Sequence, residues 1–338
     1  MRPVKRFGRS GKALGIAAVL MAALVLVSVQ VGSFPLSSNE IWDILAGGRK
    51  GTTQAQVLWT LRLPRVWMGL LAGGALGLAG GVYQTLFGNP LASPDLTGVA
   101  SGASLGAACA IVLGAGTSAQ IMGGAFLMGM ASLVLVLALV RWAGLERTGT
   151  YILAGVIISS AADAGLMVLK TVADPEGELA AIEFWTMGSL AAMTADKVWP
   201  AAVAILIPAL LIFLFRQRLL ILSMGEESAR TMGLAPGPWR SLLLGLTTLM
   251  VAAVVSVAGV VAFVGLIAPH IAFLLLGRRG GPYLPLCALV GGDILLAADL
   301  LARSLAGGGE LPLSIWTVCF GVPVLLALLV GQRGGRDG

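Results

Sequence analysis

The sequence predicts an all-α, polytopic membrane protein with about ten transmembrane helices, and three observations carry that prediction. Of its 338 residues, 57% are hydrophobic and only 11% are charged, where soluble domains carry about 25% charged residues. Apolar runs recur along the whole chain at lengths that span a hydrocarbon core of about 30 Å. The net charge of +6 is dispersed between these runs, which fits a membrane topology signal better than a nucleic-acid-binding face. Residues 1–338 therefore read as one transmembrane domain. The chain holds no GxxxxGK[ST] loop, a single histidine and three cysteines without CxxC spacing. These exclude a P-loop ATPase and a multi-histidine metal site. Cys109, Cys287 and Cys319 lie in apolar runs and read as small buried side chains.

Residues 1–12 form a basic tail carrying Arg2, Lys5, Arg6, Arg9 and Lys12, ahead of an apolar run from Ala13 to about Val31. A cleaved signal peptide competes with a retained span here. The run exceeds the 7–15 residues of a usual signal core, which favours the span. Residues 32–60 are mixed, with a short interfacial helix expected over Ser38–Leu45. The second span opens at Arg62 and Arg65 and carries Gly69, Gly73, Gly77 and Gly81. Their four-residue period puts bare backbone on one helix face, where a neighbouring helix can pack closely. Asn89–Pro90 and Ser93–Pro94 then break the helix, and a Gly-rich helix resumes near Thr97.

Further spans are expected near 121–140, 150–170 and 198–215. Residues 174–197 form a loop with a short helix. The run Ser241–Gly277 would be about 55 Å long as one helix. It must fold back, with Gly259 as the reversal and Pro269 in the second limb. Spans near 283–303 and 312–331 complete ten. An even count puts both termini on one side. That side then holds fifteen of the lysines and arginines against seven, so both termini are expected in the cytoplasm.

Between two of these spans lies Arg216–Arg240, a polar insertion on the same side as the termini. Gly225 can open a turn. Glu226 and Glu227 suit the positive end of a short helix, Gly233 can end it, and Pro236 and Pro238 forbid its continuation. Such a compact block is either a plain connector or a knob for a cytoplasmic partner.

Four stretches in register carry a specific likeness: LRLPRVWMGLLAGGALGLAGGVYQTLFGNPLASPDLTGVASGASLGA, LSMGEESARTMGL, GVVAFVGLIAPHIAFLL and LLAADLLAR…ELPLSIWTVCFGVP. The chain resembles the FecCD-type permeases over about residues 55–330. These are the membrane subunits of type II ABC importers for iron(III)-siderophores, haem and vitamin B12, with siderophores the commonest cargo. The resemblance implies a ten-helix bundle paired with a second permease subunit, identical or closely related. It also implies two cytoplasmic ATPase subunits that use ATP and Mg, an external substrate-binding protein, and a bacterial inner-membrane location. The chain itself would bind no cofactor and catalyse no reaction.

On this resemblance Gly225, Glu226, Ala229, Arg230, Gly233 and Leu234 match the family's GExxARxLGL coupling pattern, with Met232 in the first Leu position. Arg62, Arg65 and Arg303 match external arginines that receive carboxylates of the binding protein. Guanidinium suits that task; the alternative is that Arg62 and Arg65 merely anchor a helix end at the headgroups, and three matching arginines on one face favour docking. Thr148 and Gly149 match the cytoplasmic gate. His270 matches the PH motif and reads as a structural hydrogen-bonding group. An arginine that usually follows this motif is replaced by Phe273, and the usual DHR turn by Arg278–Gly281.

Asp163, Asp293 and Asp299 fall inside apolar spans, where each needs a partner or a wet cavity. Asp299 matches the family's AD…AR motif, which implies a structural bond or pairing with Arg303, one turn on. Asp163 lies a turn past Ser159, on nearly the same face as Thr148 and Gly155. It either faces the pathway or is a carboxyl bonded between helices. An ion-coupled secondary transporter, an intramembrane enzyme and a non-transporting scaffold are the rival functions. The first predicts inverted repeats with matched broken segments, and none is evident. The second needs a positioned nucleophile and base, and His270 is the one histidine.

Overall fold

The computed structural model describes residues 5–32, 34–114, 116–144, 148–305 and 309–333. The charges expected in residues 1–4 and at Arg147 and Arg336 lie outside the described residues. Fifteen α-helices follow one another: α1 (Lys5–Gln30), α2 (Ser38–Leu45), α3 (Thr53–Val57), α4 (Leu63–Leu86), α5 (Val99–Val112), α6 (Ser118–Ala143), α7 (Thr148–Val172), α8 (Glu178–Met187), α9 (Ala195–Leu214), α10 (Arg216–Leu222), α11 (Glu226–Thr231), α12 (Pro236–Ala258), α13 (Val264–Leu276), α14 (Tyr283–Ser304) and α15 (Leu313–Arg333). Seven helices are long and apolar enough to cross a membrane. Val99–Val112, Val264–Leu276 and Leu313–Ala327 are shorter apolar helices. Seven and three reproduce the ten expected apolar segments, three of them shorter than a full span.

The expected surface helix is α2. Ser37 accepts from the Glu40 backbone while the Glu40 side chain accepts from the Ser37 backbone, a reciprocal cap. Those Ser37 hydrogen bonds, backbone first, then Arg49, hold the Glu40 carboxyl below its ordinary range. The second span begins earlier than expected. Thr52 caps α3, and a π-helical segment, Leu58–Arg62, joins it without a break to α4.

Packing centres on α4, which is buried along most of its length. Gly69, Gly73, Gly77 and Gly81 all face α14. A methyl group there would meet Leu296, the Gly291 carbonyl, the Cys287 carbonyl and the Cys287 sulfur respectively. The adjacent Gly80 presses against the backbone of Gly265 in α13. Gly102 and Gly106 of α5 do the same against α6. With no hydrophobic drive between helices in lipid, this close backbone approach is how the bundle coheres.

The broken segment forms one 3₁₀ turn, Pro94–Thr97, closed by Gly98 at φ 70°. Gly98 lies against Ser159 and Gly155 of α7, and Gly155 against Leu96. The reversal after α12 falls at Gly259, φ 72°, where a side chain would strike the Trp185 carbonyl. Pro269 lies within α13.

Three expectations change. Only Cys287 is buried; Cys109 is half-buried and Cys319 exposed, because α15 packs one side on α13 and α14 and turns the other outward. His270 is buried, yet its Nε2 has no hydrogen-bond partner among the described residues. Asp293 is buried beside an apolar cavity of about 580 Å³ between α1, α13, α14 and α15. Its Oδ1 also lacks a partner there.

Candidate functional site

Two clusters stand at opposite ends of α4. From Arg65 to Leu86 that helix rises about 32 Å at 1.5 Å per residue.

At the Leu86 end is the block between α9 and α12. Its base is clamped. Phe215 and Trp239 meet edge to face with centroids 5.1 Å apart, and the Arg218 guanidinium lies 4.4 Å from the Trp239 ring centre. Stacked this way, the cation and rings tie the start of the insertion to its end. Gly225 adopts φ 103° ahead of α11, a conformation that favours glycine. Glu226 and Glu227 fill the first turn as expected, and the helix ends at Thr231, one residue earlier than expected. Gly233, at φ 75°, lets its N–H reach the Arg230 carbonyl (2.9 Å) and lets the Leu234 N–H reach the Ala229 carbonyl (2.9 Å). This is the left-handed closure glycine provides at helix ends.

Ala229 is fully buried beneath the helix. Glu227, Arg230 and Gly233 are exposed on it. Met224 and Met232 are also exposed, by 61% and 58%, so this end offers two flexible apolar side chains among charges. Behind α11, Arg240 of α12 donates to Glu226 (Nη1 to Oε1, 2.9 Å). Its guanidinium also lies 5.8 Å from the ring centre of Tyr151 in α7. A cleft of about 400 Å³ is lined by Gly88, Gly149, Gly225, Glu226 and Arg240, among others. The structure therefore brings two of the candidate coupling residues, Gly225 and Glu226, and the candidate gate residue Gly149 to one cleft. Thr148 opens α7 beside it.

Farther along α7, Ser159 touches the Gly98 turn, and Asp163, one turn on, is half-buried.

At the other end the three arginines meet, but they are occupied. Arg62, only 5% exposed, donates to the carbonyls of Val29 (2.7 Å), Gln30 (2.8 Å) and Phe34. Arg303 donates to the Val31 carbonyl at 2.7 Å. Apart from Phe34, these acceptors are carbonyls at the end of α1, left without helical partners, and cations suit a helix C-terminus. Asp299, fully buried, holds Arg65 (Oδ1 to Nη2, 2.8 Å). It also lies 3.3 Å from Arg303 Nε. Arg65 grips Glu310 with both terminal nitrogens, at 2.6 and 2.9 Å.

The expected Asp299–Arg303 pair is present. Within the chain all three arginines are already engaged, by backbone carbonyls near the end of α1 and by two carboxylates. Arg65 alone faces a partner that is partly exposed, Glu310, whose side chain is 31% accessible.

Sequence reasoning missed Glu310, Arg240 and Tyr151. Glu310 lies in the matched ELPLSIW stretch, a few residues after Arg303, and that proximity was an available signal. Nothing local marks Arg240 or Tyr151.

Comparison with known proteins agrees with this architecture. The model of the FecCD transport family matches residues 20–331. The hemin transport system permease protein of Yersinia pestis is 33% identical, covering 96% of this chain and 97% of that protein. The vitamin B12 import system permease protein of Escherichia coli is 36% identical over 94% of each chain. The molybdate import system permease protein of Haemophilus influenzae is 33% identical over 94% of this chain. A solved structure described as an inward-facing conformation of a metal-chelate type ABC transporter superposes with a TM-score of 0.85 at 32% identity. It covers 95% of this chain and 99% of that one. With its apolar helices, its end-to-end disposition of two polar clusters and these matches, the chain belongs to the FecCD transport family and is a multi-pass, non-enzymatic ABC permease subunit.

Proposed function

We propose that this subunit forms the translocation pathway of an ATP-driven importer for an iron(III)-siderophore in the bacterial cytoplasmic membrane. The observation that carries the energy-coupling half of this reading is α11. It is a short helix closed by two left-handed glycines, exposed on its outer side and clamped at its base. Such a block moves as a unit when a partner pushes it. Two ATPase subunits, binding ATP and Mg, grip Gly225–Leu234 from the cytoplasm, the side of both termini. A second permease subunit completes the pathway, with Thr148 and Gly149 of each copy meeting at the gate. ATP-driven closure of the ATPases then tilts α9 and α12 as a rigid-body switch.

An external binding protein docks at the Arg62, Arg65 and Arg303 end. Arg65 is the group most available to it, since Glu310 is the one partly exposed partner there. Asp163, half-buried on α7, faces the pathway and favours cargo that is cationic or donates hydrogen bonds. Haem and vitamin B12 are the competing cargoes, a reading supported by the names of the relatives from Yersinia pestis and Escherichia coli.

Titrating the cognate binding protein with ferric siderophores, haem and cobalamin decides among them. Saturable binding of a ferric siderophore, with neither of the others bound, is expected. Binding of haem or cobalamin alone would move the cargo to that class. Asp163→Asn is expected to slow uptake without changing subunit assembly, and unchanged uptake would remove Asp163 from the pathway.

A further inference from the structure

We propose that Arg240 is a positioning residue that transmits displacement of α11 to the start of α7. The inference rests on reading α11 as the ATPase contact and goes beyond it by naming how the push reaches the gate.

The geometry is a short chain of contacts across three helices. Glu226 is the first residue of α11, and its carboxylate accepts from Arg240 at 2.9 Å. That is the only ion pair α11 makes among the described residues. Arg240, on α12, is 4% exposed. Its guanidinium is 5.8 Å from the ring centre of Tyr151, within the range where a cation is drawn to an aromatic face. Tyr151 is 2% exposed in the first turn of α7, two residues after Gly149. On its far side the Tyr151 ring meets Phe87, centroids 6.3 Å apart, and Phe87 meets Tyr83 of α4 at 5.6 Å.

A buried guanidinium stays charged and presents a rigid planar fork. If α11 moves, Arg240 follows Glu226 or their ion pair opens at a buried guanidinium. Following it changes the load on the Tyr151 ring. The cleft between Gly149 and Gly225 leaves room for that movement. Tyr151 is buried and packed on Phe87, so a load on its ring passes into α7.

The test uses the full complex, permease with its ATPase subunits in proteoliposomes, and reads cargo moved per ATP hydrolysed. Glu226→Gln and Arg240→Gln are each expected to lower that ratio at least about fivefold, the lower end of inter-site coupling, with ATPase co-purification unchanged. The double variant should fall no lower than either single one. Tyr151→Phe keeps the ring and should keep the ratio, whereas Tyr151→Ala should lose it. If Arg240→Gln fails to assemble, Glu226→Gln, at a side chain 40% accessible, decides alone. A wild-type ratio in Glu226→Gln, or losses that multiply in the double variant, would overturn the relay. Failure of the underlying reading looks different: Arg230→Glu and Met232→Glu, on the outer face of α11, would then leave ATPase co-purification and hydrolysis unchanged.

Discussion

Gly80→Ala is expected to prevent the bundle from closing. The added methyl would overlap the Gly265 carbonyl oxygen and stand 2.6 Å from the carbon of that carbonyl. Both obstacles are backbone, so no side-chain rotation relieves them. Helices α4 and α13 would have to separate, and α4 is also pinned to α14 by Gly73 and Gly77. The loss should reach or exceed about 3 kcal/mol, the upper end of ordinary overpacking. Thermal unfolding of the purified protein in detergent measures it, with Gly245→Ala as the control. Gly245 lies in α12 with nothing within 4 Å of where a methyl would go, and its substitution should leave the midpoint nearly unchanged. Equal midpoints for the two variants would refute the packing account of α4.

Asp299→Ala has the second large effect. Asp299 is the carboxylate between Arg65 and Arg303, with its side chain 1% accessible. Without it, Arg303 keeps the Val31 carbonyl and Arg65 keeps Glu310, but two guanidinium groups face each other with one buried counter-charge removed. Breaking a buried pair from one side costs about 3–5 kcal/mol. The same unfolding assay should show a loss of that order, together with loosening of the α1 end that Arg62 and Arg303 hold. A change below about 0.5 kcal/mol, the range of ordinary surface substitutions, would mean the cluster does not carry that end of the fold.

The contrast between these two sites explains what the sequence could reveal. Helix positions follow from local rules. Apolar runs, the Gly259 reversal, the Pro94 break and the Ser38–Leu45 helix were all legible, as were the closing glycines of α11. The glycine stripe of α4 was legible too, because its four-residue period says that something packs there, though not that the neighbour is α14. The state of the arginines was not legible. The residues that occupy Arg65 lie 234 and 245 positions away, and those occupying Arg62 are carbonyls at the end of another helix. Backbone acceptors leave no trace in a side-chain pattern. For the same reason Arg240 passed unnoticed: its importance comes from lying between Glu226 and Tyr151, residues of two other helices.

The central claim is that α11 takes the push of a separate ATPase on the cytoplasmic side. A photo-cross-linking residue placed at the exposed Met232 position, in the complete complex, tests it most directly. The exposed Leu45 position of α2 serves as the comparison, since α2 follows the end of α1 at which Arg62 and Arg303 sit. The account predicts an adduct with the ATPase subunit from position 232 and none from position 45. An ATPase adduct from position 45, with none from position 232, would contradict it.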